Sequence, residues 1–256
     1  MTIYHEEFPV ERPLGTLVFL HGWGSSSDIW HDFIAQFKER YHCILIDLPG
    51  MGRSIGEPAA ETSADMADQI AHLVPLGSVV VGWSLGGQVA VAMAERMQTL
   101  SAVITIATGP CFVEKTDWSA GMMPDVFNGF VLALQQQREK TLQRFMLLQA
   151  KGGEAAKEVV AQLRKASHYS EQQRLSEALE LLREDCRASF DALSLPVLHI
   201  FGEKDALVDV QVAEQIVNAN RACKVIAQAA HLPFISHSGD VSSAVLGFLD
   251  SLQVEA

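Results

Sequence analysis

The sequence predicts an α/β chain, with a mostly parallel central sheet flanked by helices and a helical cap inserted into it. Three observations carry this. In the first hundred residues, short apolar runs at Leu17–Leu20, Cys43–Ile46, Val79–Val81 and Val103–Ala107 alternate with helical patterns. From about Pro110 to Asp191 the β-branched runs vanish and helical stretches take over. Strand signals then return at Val197–Phe201 and Cys223–Ala227. Continuously apolar runs, bounded by Gly, Pro and Asp, belong to strands covered on both faces, which is the condition of a parallel sheet with crossover helices.

The helix after the third run, Gly87 to about Met97, carries Ala, Val and Met on every side and is expected to pack centrally against the sheet. Within the inserted segment, helices are expected around Asp125–Ala150, Glu154–Ser167 and Ser170–Ala188, the first two separated by Lys151-Gly152-Gly153. Helices near Val210–Asn218 and Val241–Leu252 complete the alternation. The expected division is therefore a core of residues 1–109 and 192–256 with a cap of residues 110–191.

The chain has 256 residues, 48% hydrophobic and 20% charged, enough to bury a large core. Its net charge of -12 and pI near 5.1 disfavour nucleic acid and anionic membranes as partners. Cys43, Cys111, Cys186 and Cys223 form no CxxC pair, so neither a zinc site nor a redox motif is expected, and a reducing compartment is. The N-terminal residues show no basic, apolar leader pattern, and no apolar run approaches the roughly 20 residues of a membrane span. A cytoplasmic monomer without metal or organic cofactor is the expectation.

Chemistry enters with Gly82-Trp83-Ser84-Leu85-Gly86-Gly87, which satisfies G-x-S-x-G directly after a strand run and before a helical pattern. A nucleophilic serine must project from a sharp, strained turn, and flanking glycines let strand and helix pass close beside it. The plainer reading is a glycine-rich turn with a helix-capping serine, since G-x-S-x-G also occurs by chance; a strand before it and a helix after it favour the nucleophile. Two further segments follow early strands: His21-Gly22-Trp23-Gly24, and Asp47-Leu48-Pro49-Gly50-Met51-Gly52-Arg53-Ser54. The second reads as a structural turn.

Together these segments resemble the α/β-hydrolase family. The resemblance implies the α/β-hydrolase fold, a nucleophile at Ser84, and an oxyanion hole from the backbone N–H groups of Leu85 and Trp23. It also implies the chain order serine, acid, histidine. Phe201-Gly202-Glu203-Lys204-Asp205-Ala206-Leu207-Val208 resembles the acid loop and places the acid at Asp205. Asp209 is better explained as a helix cap. Of nine histidines only His231 and His237 follow Asp205, and His231, just after the last strand run, takes the family's base position. His21 reads as structural. Haloalkane dehalogenases and epoxide hydrolases share the fold but use an aspartate nucleophile, whereas position 84 is serine.

Several segments extend the resemblance to one branch of the family, the carboxylesterases of biotin synthesis that demethylate pimeloyl-acyl-carrier-protein methyl ester. They include Pro110-Cys111-Phe112, Lys115-Thr116-Asp117-Trp118, Pro124-Asp125-Val126, Arg144-Phe145, and Ala229-Ala230-His231 with Pro233-Phe234-Ile235-Ser236-His237. The resemblance implies an acyl-carrier protein as transient partner, met by basic residues of the cap. Arg144 is retained, Lys140 and Lys157 replace arginine, Ala161 replaces another, and Arg164 matches a basic position. Pro110–Phe190 holds eleven basic and eleven acidic residues, so the whole net charge lies outside it. Trp23, Trp83 and Phe145 are the expected apolar lining for an acyl chain, with core packing as the alternative for each. A general short-chain carboxylesterase, a thioesterase, a carbon-carbon bond hydrolase and a non-catalytic ligand-binding protein on the same fold remain alternatives at this level.

Overall fold

In the computed structural model, which describes residues 3–57, 60–167, 174–216 and 221–254, seven strands form one sheet. They are β1 (His5–Phe8), β2 (Thr16–Leu20), β3 (His42–Ile46), β4 (Val79–Trp83), β5 (Ala102–Ile106), β6 (Val197–Gly202) and β7 (Arg221–Ile226). Their order is β1-β3-β2-β4-β5-β6-β7, and only the edge strand β1 runs antiparallel to its neighbour. Every residue of β4, β5 and β6 is buried, as the continuous apolar runs require.

Successive side chains of a strand point to opposite faces, and the two main cores follow that rule. Val18, Leu20, Ile44, Ile46 and Val80 belong to one cluster, while Leu17, Phe19, Cys43, Leu45 and Val81 belong to the other. On the first face lie α1 (Ser63–Ile70) and α2 (Leu85–Arg96). Residues Leu85 to Met93 of α2 are all buried, matching its all-round apolar composition. On the second face packs α10 (Ser238–Val254), through Val241, Val245 and Leu249.

Between β5 and β6 the described chain is helical: α3 (Pro124–Gln136), α4 (Arg138–Gln149), α5 (Ala156–Ala166), α6 (Leu175–Glu180) and α7 (Arg187–Ala192). The single helix expected over Asp125–Ala150 is two. Gln137 leaves the helical region at φ -142° and ψ 55°, its N–H closing α3 on Ala133 and its carbonyl opening α4 by accepting from Thr141. No Gly or Pro marks this break. The stretch expected over Ser170–Ala188 begins at residues outside those described; the remainder splits into α6, a 3-10 turn at Leu181–Arg183, and α7. The helix expected over Val210–Asn218 is α8 (Val212–Ile216), with residues 217 and 218 outside those described. A short α9 (Pro233–Ser236) precedes α10. Among the described residues no helix is long and apolar enough to cross a membrane.

The loop after β3 is structural, as its glycines and proline predict. The buried Asp47 carboxylate accepts from the backbone N–H groups of Ser27 (2.6 Å) and Arg53 (2.7 Å) and pairs with the Arg53 guanidinium at 2.8 Å. Burial opposes its charge, but the Arg53 bond and these amides outweigh it and hold the carboxyl below the usual range. His21 is likewise architectural. Its Nδ1–H donates to the Gly22 carbonyl (2.8 Å) and its Nε2 accepts from the Leu48 N–H (2.9 Å), so it is neutral, and burial pushes its pKa down.

Candidate active site

The segments that follow β2, β4, β6 and β7 carry Trp23, Ser84, Asp205 and His231, so these four residues leave the C-terminal ends of parallel strands. That is the edge where open α/β sheets bind ligands. At the end of β4, Ser84 holds φ 54° and ψ -120°, a conformation costing a non-glycine residue on the order of 1–3 kcal/mol. The surroundings impose it. Its N–H donates to Ile106 on β5 at 2.9 Å, and its carbonyl accepts from Gly87 N–H (2.9 Å) and from Thr108 Oγ1 (3.1 Å). A Cβ on Gly86 would collide with the Leu20 carbonyl and lie 2.6 Å from that of His21, and one on Gly82 would collide with the Gly86 carbonyl. The glycines therefore let α2 start directly against β2 and β4, and the serine is carried at the apex.

The second element is a carboxylate-imidazole pair. Asp205 Oδ2 lies 2.7 Å from His231 Nδ1, with both side chains essentially excluded from solvent. The other carboxylate oxygen accepts from the backbone N–H groups of Leu207 (2.8 Å) and Val208 (3.1 Å). Asp205 is thus held as a fixed acceptor, and Nδ1 must carry the imidazole proton. This leaves the lone pair on His231 Nε2; the atom is buried and has no hydrogen-bond partner among the described residues. The competitors are placed elsewhere. Asp209 is exposed and accepts from Gln211 N–H at the start of α8, while His237 pairs with Ser236 Oγ (2.8 Å) and faces Glu154 (3.8 Å).

Ser84 and this pair are joined by the residue before the serine. The Trp83 indole N–H donates to the His231 carbonyl at 3.0 Å, and the two rings lie 5.7 Å apart. Trp83 packs onward against Phe234 in the core of the second sheet face. The loop after β2 borders the same point: a Cβ on Gly22 would lie 3.2 Å from Ser84 Cβ. Leu85, as the first residue of α2, has a backbone N–H with no intrahelical acceptor.

Trp23 links this loop to the helices above. Its ring meets Phe145 of α4 edge-on at 5.1 Å and Phe130 of α3 at 5.6 Å, and its indole N–H donates to the Leu175 carbonyl at the start of α6 (2.8 Å). The expected lining residues Trp23 and Phe145 are therefore one aromatic cluster with Phe130, which the sequence reading did not single out. The basic residues lie on the outer faces of α4 and α5. Lys140 and Arg164 border a groove of about 980 Å³ floored by Leu142, Met146 and Val160. Lys157 and Arg164 border an adjoining groove of about 500 Å³, and Arg144 stands exposed on α4.

Comparison with known proteins agrees with this architecture. Residues 15–238 match the alpha/beta hydrolase fold family. A pimeloyl-[acyl-carrier protein] methyl ester esterase of Yersinia pseudotuberculosis is 34% identical over 241 residues, spanning 91% of this chain and 93% of that protein. One of Serratia marcescens is 37% identical over 240 residues with the same coverage. Among solved structures, an esterase from Exiguobacterium antarcticum superposes with a TM-score of 0.86 over 97% of this chain and 95% of its own, at 21% identity. MenH from S. aureus superposes at 0.79 over 99% and 100%, at 24% identity. The chain belongs to the α/β-hydrolase fold family and, within it, is a relative of the pimeloyl-[acyl-carrier protein] methyl ester esterases.

Proposed function

We propose that the chain is a serine carboxylesterase that hydrolyses the methyl ester of pimeloyl-acyl-carrier protein, using Ser84, His231 and Asp205. The observation that carries the chemistry is the buried Asp205-His231 bond with an unpartnered Nε2, tied through Trp83 to a strained Ser84. The names of the relatives supply the substrate. His231 Nε2 takes the Ser84 proton as the hydroxyl attacks the ester carbonyl. The backbone N–H groups of Leu85 and Trp23 hold the tetrahedral oxyanion, each contributing on the order of 10²–10³ in turnover. The tetrahedral adduct then expels methanol, protonated by His231, and water repeats the cycle on the acyl-enzyme. Asp205 keeps the proton on Nδ1 and stabilises the imidazolium.

In this reading the helices of residues 110–191 act as the cap. The acyl chain runs past Trp23 and Phe145, with Trp83 behind His231, and the carrier protein docks transiently on Lys140, Arg144, Lys157 and Arg164. Exposure of all four supports that role, since an acidic partner can reach them. The reading is tested by following methanol release from pimeloyl-acyl-carrier-protein methyl ester beside hydrolysis of a small chromogenic ester. Turnover of the small ester alone would keep the triad and discard the carrier substrate.

A charge reversal isolates the docking part. In Lys140→Glu/Arg144→Glu, kcat/KM for the carrier-linked ester is expected to fall about tenfold or more at low salt, with the small ester unaffected. Added salt should narrow the gap between wild type and variant. Equal losses on both esters would overturn the assignment of these side chains to the carrier.

A further inference from the structure

The main-chain groups of His231 are held from two directions. Its carbonyl accepts from Trp83, but its N–H donates to the carbonyl of Gln149, the last residue of α4, at 3.2 Å. The loop that follows α4 continues along the same segment. Glu154 N–H donates to the Gln228 carbonyl at 2.9 Å, and Gly153 packs against Ala230 so closely that a Cβ there would lie 2.7 Å from both the Ala230 nitrogen and its Cβ. Gln149 at the end of α4, with Gly153 and Glu154 of the loop after it, thus touches the segment at His231, Ala230 and Gln228, while the opposite side of the segment is fixed by Lys204 N–H donating to Ala229 (2.8 Å). The imidazole direction is therefore set jointly by the acid loop, by Trp83 and by the loop between α4 and α5.

We infer that this loop, through Gln149 and Gly153, positions His231 for proton transfer, so that the helical insertion sets turnover as well as covering the substrate. The inference rests on His231 being the base proposed above. Gly153 is the informative position because its side chain is missing where a methyl group would push Ala230 away and, one residue on, draw the His231 N–H from Gln149. Misplacing a catalytic group by about 1 Å costs up to about 10²-fold in rate.

The test compares Gly153→Ala with Gly129→Ala, a control on α3 where an added Cβ meets nothing within 4 Å. On a small p-nitrophenyl ester, Gly153→Ala is expected to lower kcat on the order of 10- to 100-fold, with KM within about twofold and a larger solvent deuterium isotope effect on kcat. The control keeps wild-type values. Should Gly153→Ala fail to fold, one extra glycine inserted between Gly152 and Gly153 slackens the loop without adding a side chain, and the same fall in kcat is expected. Full kcat in either folded variant, a raised KM with kcat retained, or a lowered kcat with an unchanged isotope effect overturns the inference. Labelling of wild-type Ser84 by a serine-reactive phosphonate separates the two claims. Its absence removes the proposed triad, whereas labelling with normal kcat in the variants removes only the positioning role.

Discussion

Replacing Ser84 with alanine is expected to lower turnover of both carrier-linked and small esters on the order of 10⁶-fold, the scale seen when a triad serine is removed. The fold should not change. The elbow is held by backbone bonds from Ser84 to Ile106 and Gly87, by Thr108, and by the packing of Gly82 and Gly86, none of which uses the serine hydroxyl. Alanine at φ 54° bears the same backbone strain as serine. The check is methanol release and chromogenic hydrolysis together with a thermal melt. A variant that melts normally yet retains more than about a hundredth of wild-type turnover would require a nucleophile other than Ser84.

The second large effect is expected from Asp205→Asn, and its cause is a tautomer. Asp205 uses one oxygen for the Leu207 and Val208 N–H groups and the other for His231 Nδ1. An asparagine keeps its oxygen toward the two N–H donors and turns its NH₂ toward Nδ1. Nδ1 must then accept, the imidazole proton moves to Nε2, and the lone pair that takes the Ser84 proton is lost. The expected fall in kcat is about 10⁴-fold, with the native melt retained. Asp209→Asn, at an exposed helix start, is the matched control and should leave kcat unchanged. Comparable losses in both variants would remove Asp205 from its proposed role.

Much of this architecture is legible in the sequence, because burial on both faces leaves an unmistakable apolar run. β2 to β6 are of that kind, and their expected and observed bounds differ by a residue or two. β1 was not legible: His5-Glu6-Glu7-Phe8 is a half-exposed edge strand whose pairing to β3 is decided by backbone bonds, not by an apolar pattern. α1 lacks a strong apolar pattern, and its local signal is the reciprocal capping box of Thr62 and Asp65 at its first turn. The break at Gln137 has no composition signal, since neither Gly nor Pro stands there, and the two helices it separates bring Phe130 and Phe145 onto Trp23.

The candidate site divides the same way. Ser84, Asp205 and His231 stand in motifs of short range, so local sequence together with the family resemblance singles them out as candidates. The bonds from Trp83 to His231 and from Trp23 to Leu175 each span more than a hundred positions, and no local pattern announces them. Gly152-Gly153 was visible only as punctuation between two helices. That a glycine was needed there for closeness to Ala230 emerges only when β7 and α4 are brought together.

The route of the chain also orders its assembly. β4 and β5 are parallel neighbours joined through α2, but β5 and β6 are parallel neighbours separated by the whole stretch from Ile106 to Val197. Closing a loop of about 90 residues costs about 4 kcal/mol in chain entropy beyond the constant term, against about 2.6 kcal/mol for the shorter β4-β5 crossover. The pairing that sets Ser84 in its turn therefore closes at the lower entropic cost, whereas the pairing that brings Asp205 and His231 toward it carries the higher one. On the triad proposed above, esterase activity is therefore expected to return no earlier in refolding than the β5-β6 pairing, a timing that ester hydrolysis followed during refolding checks.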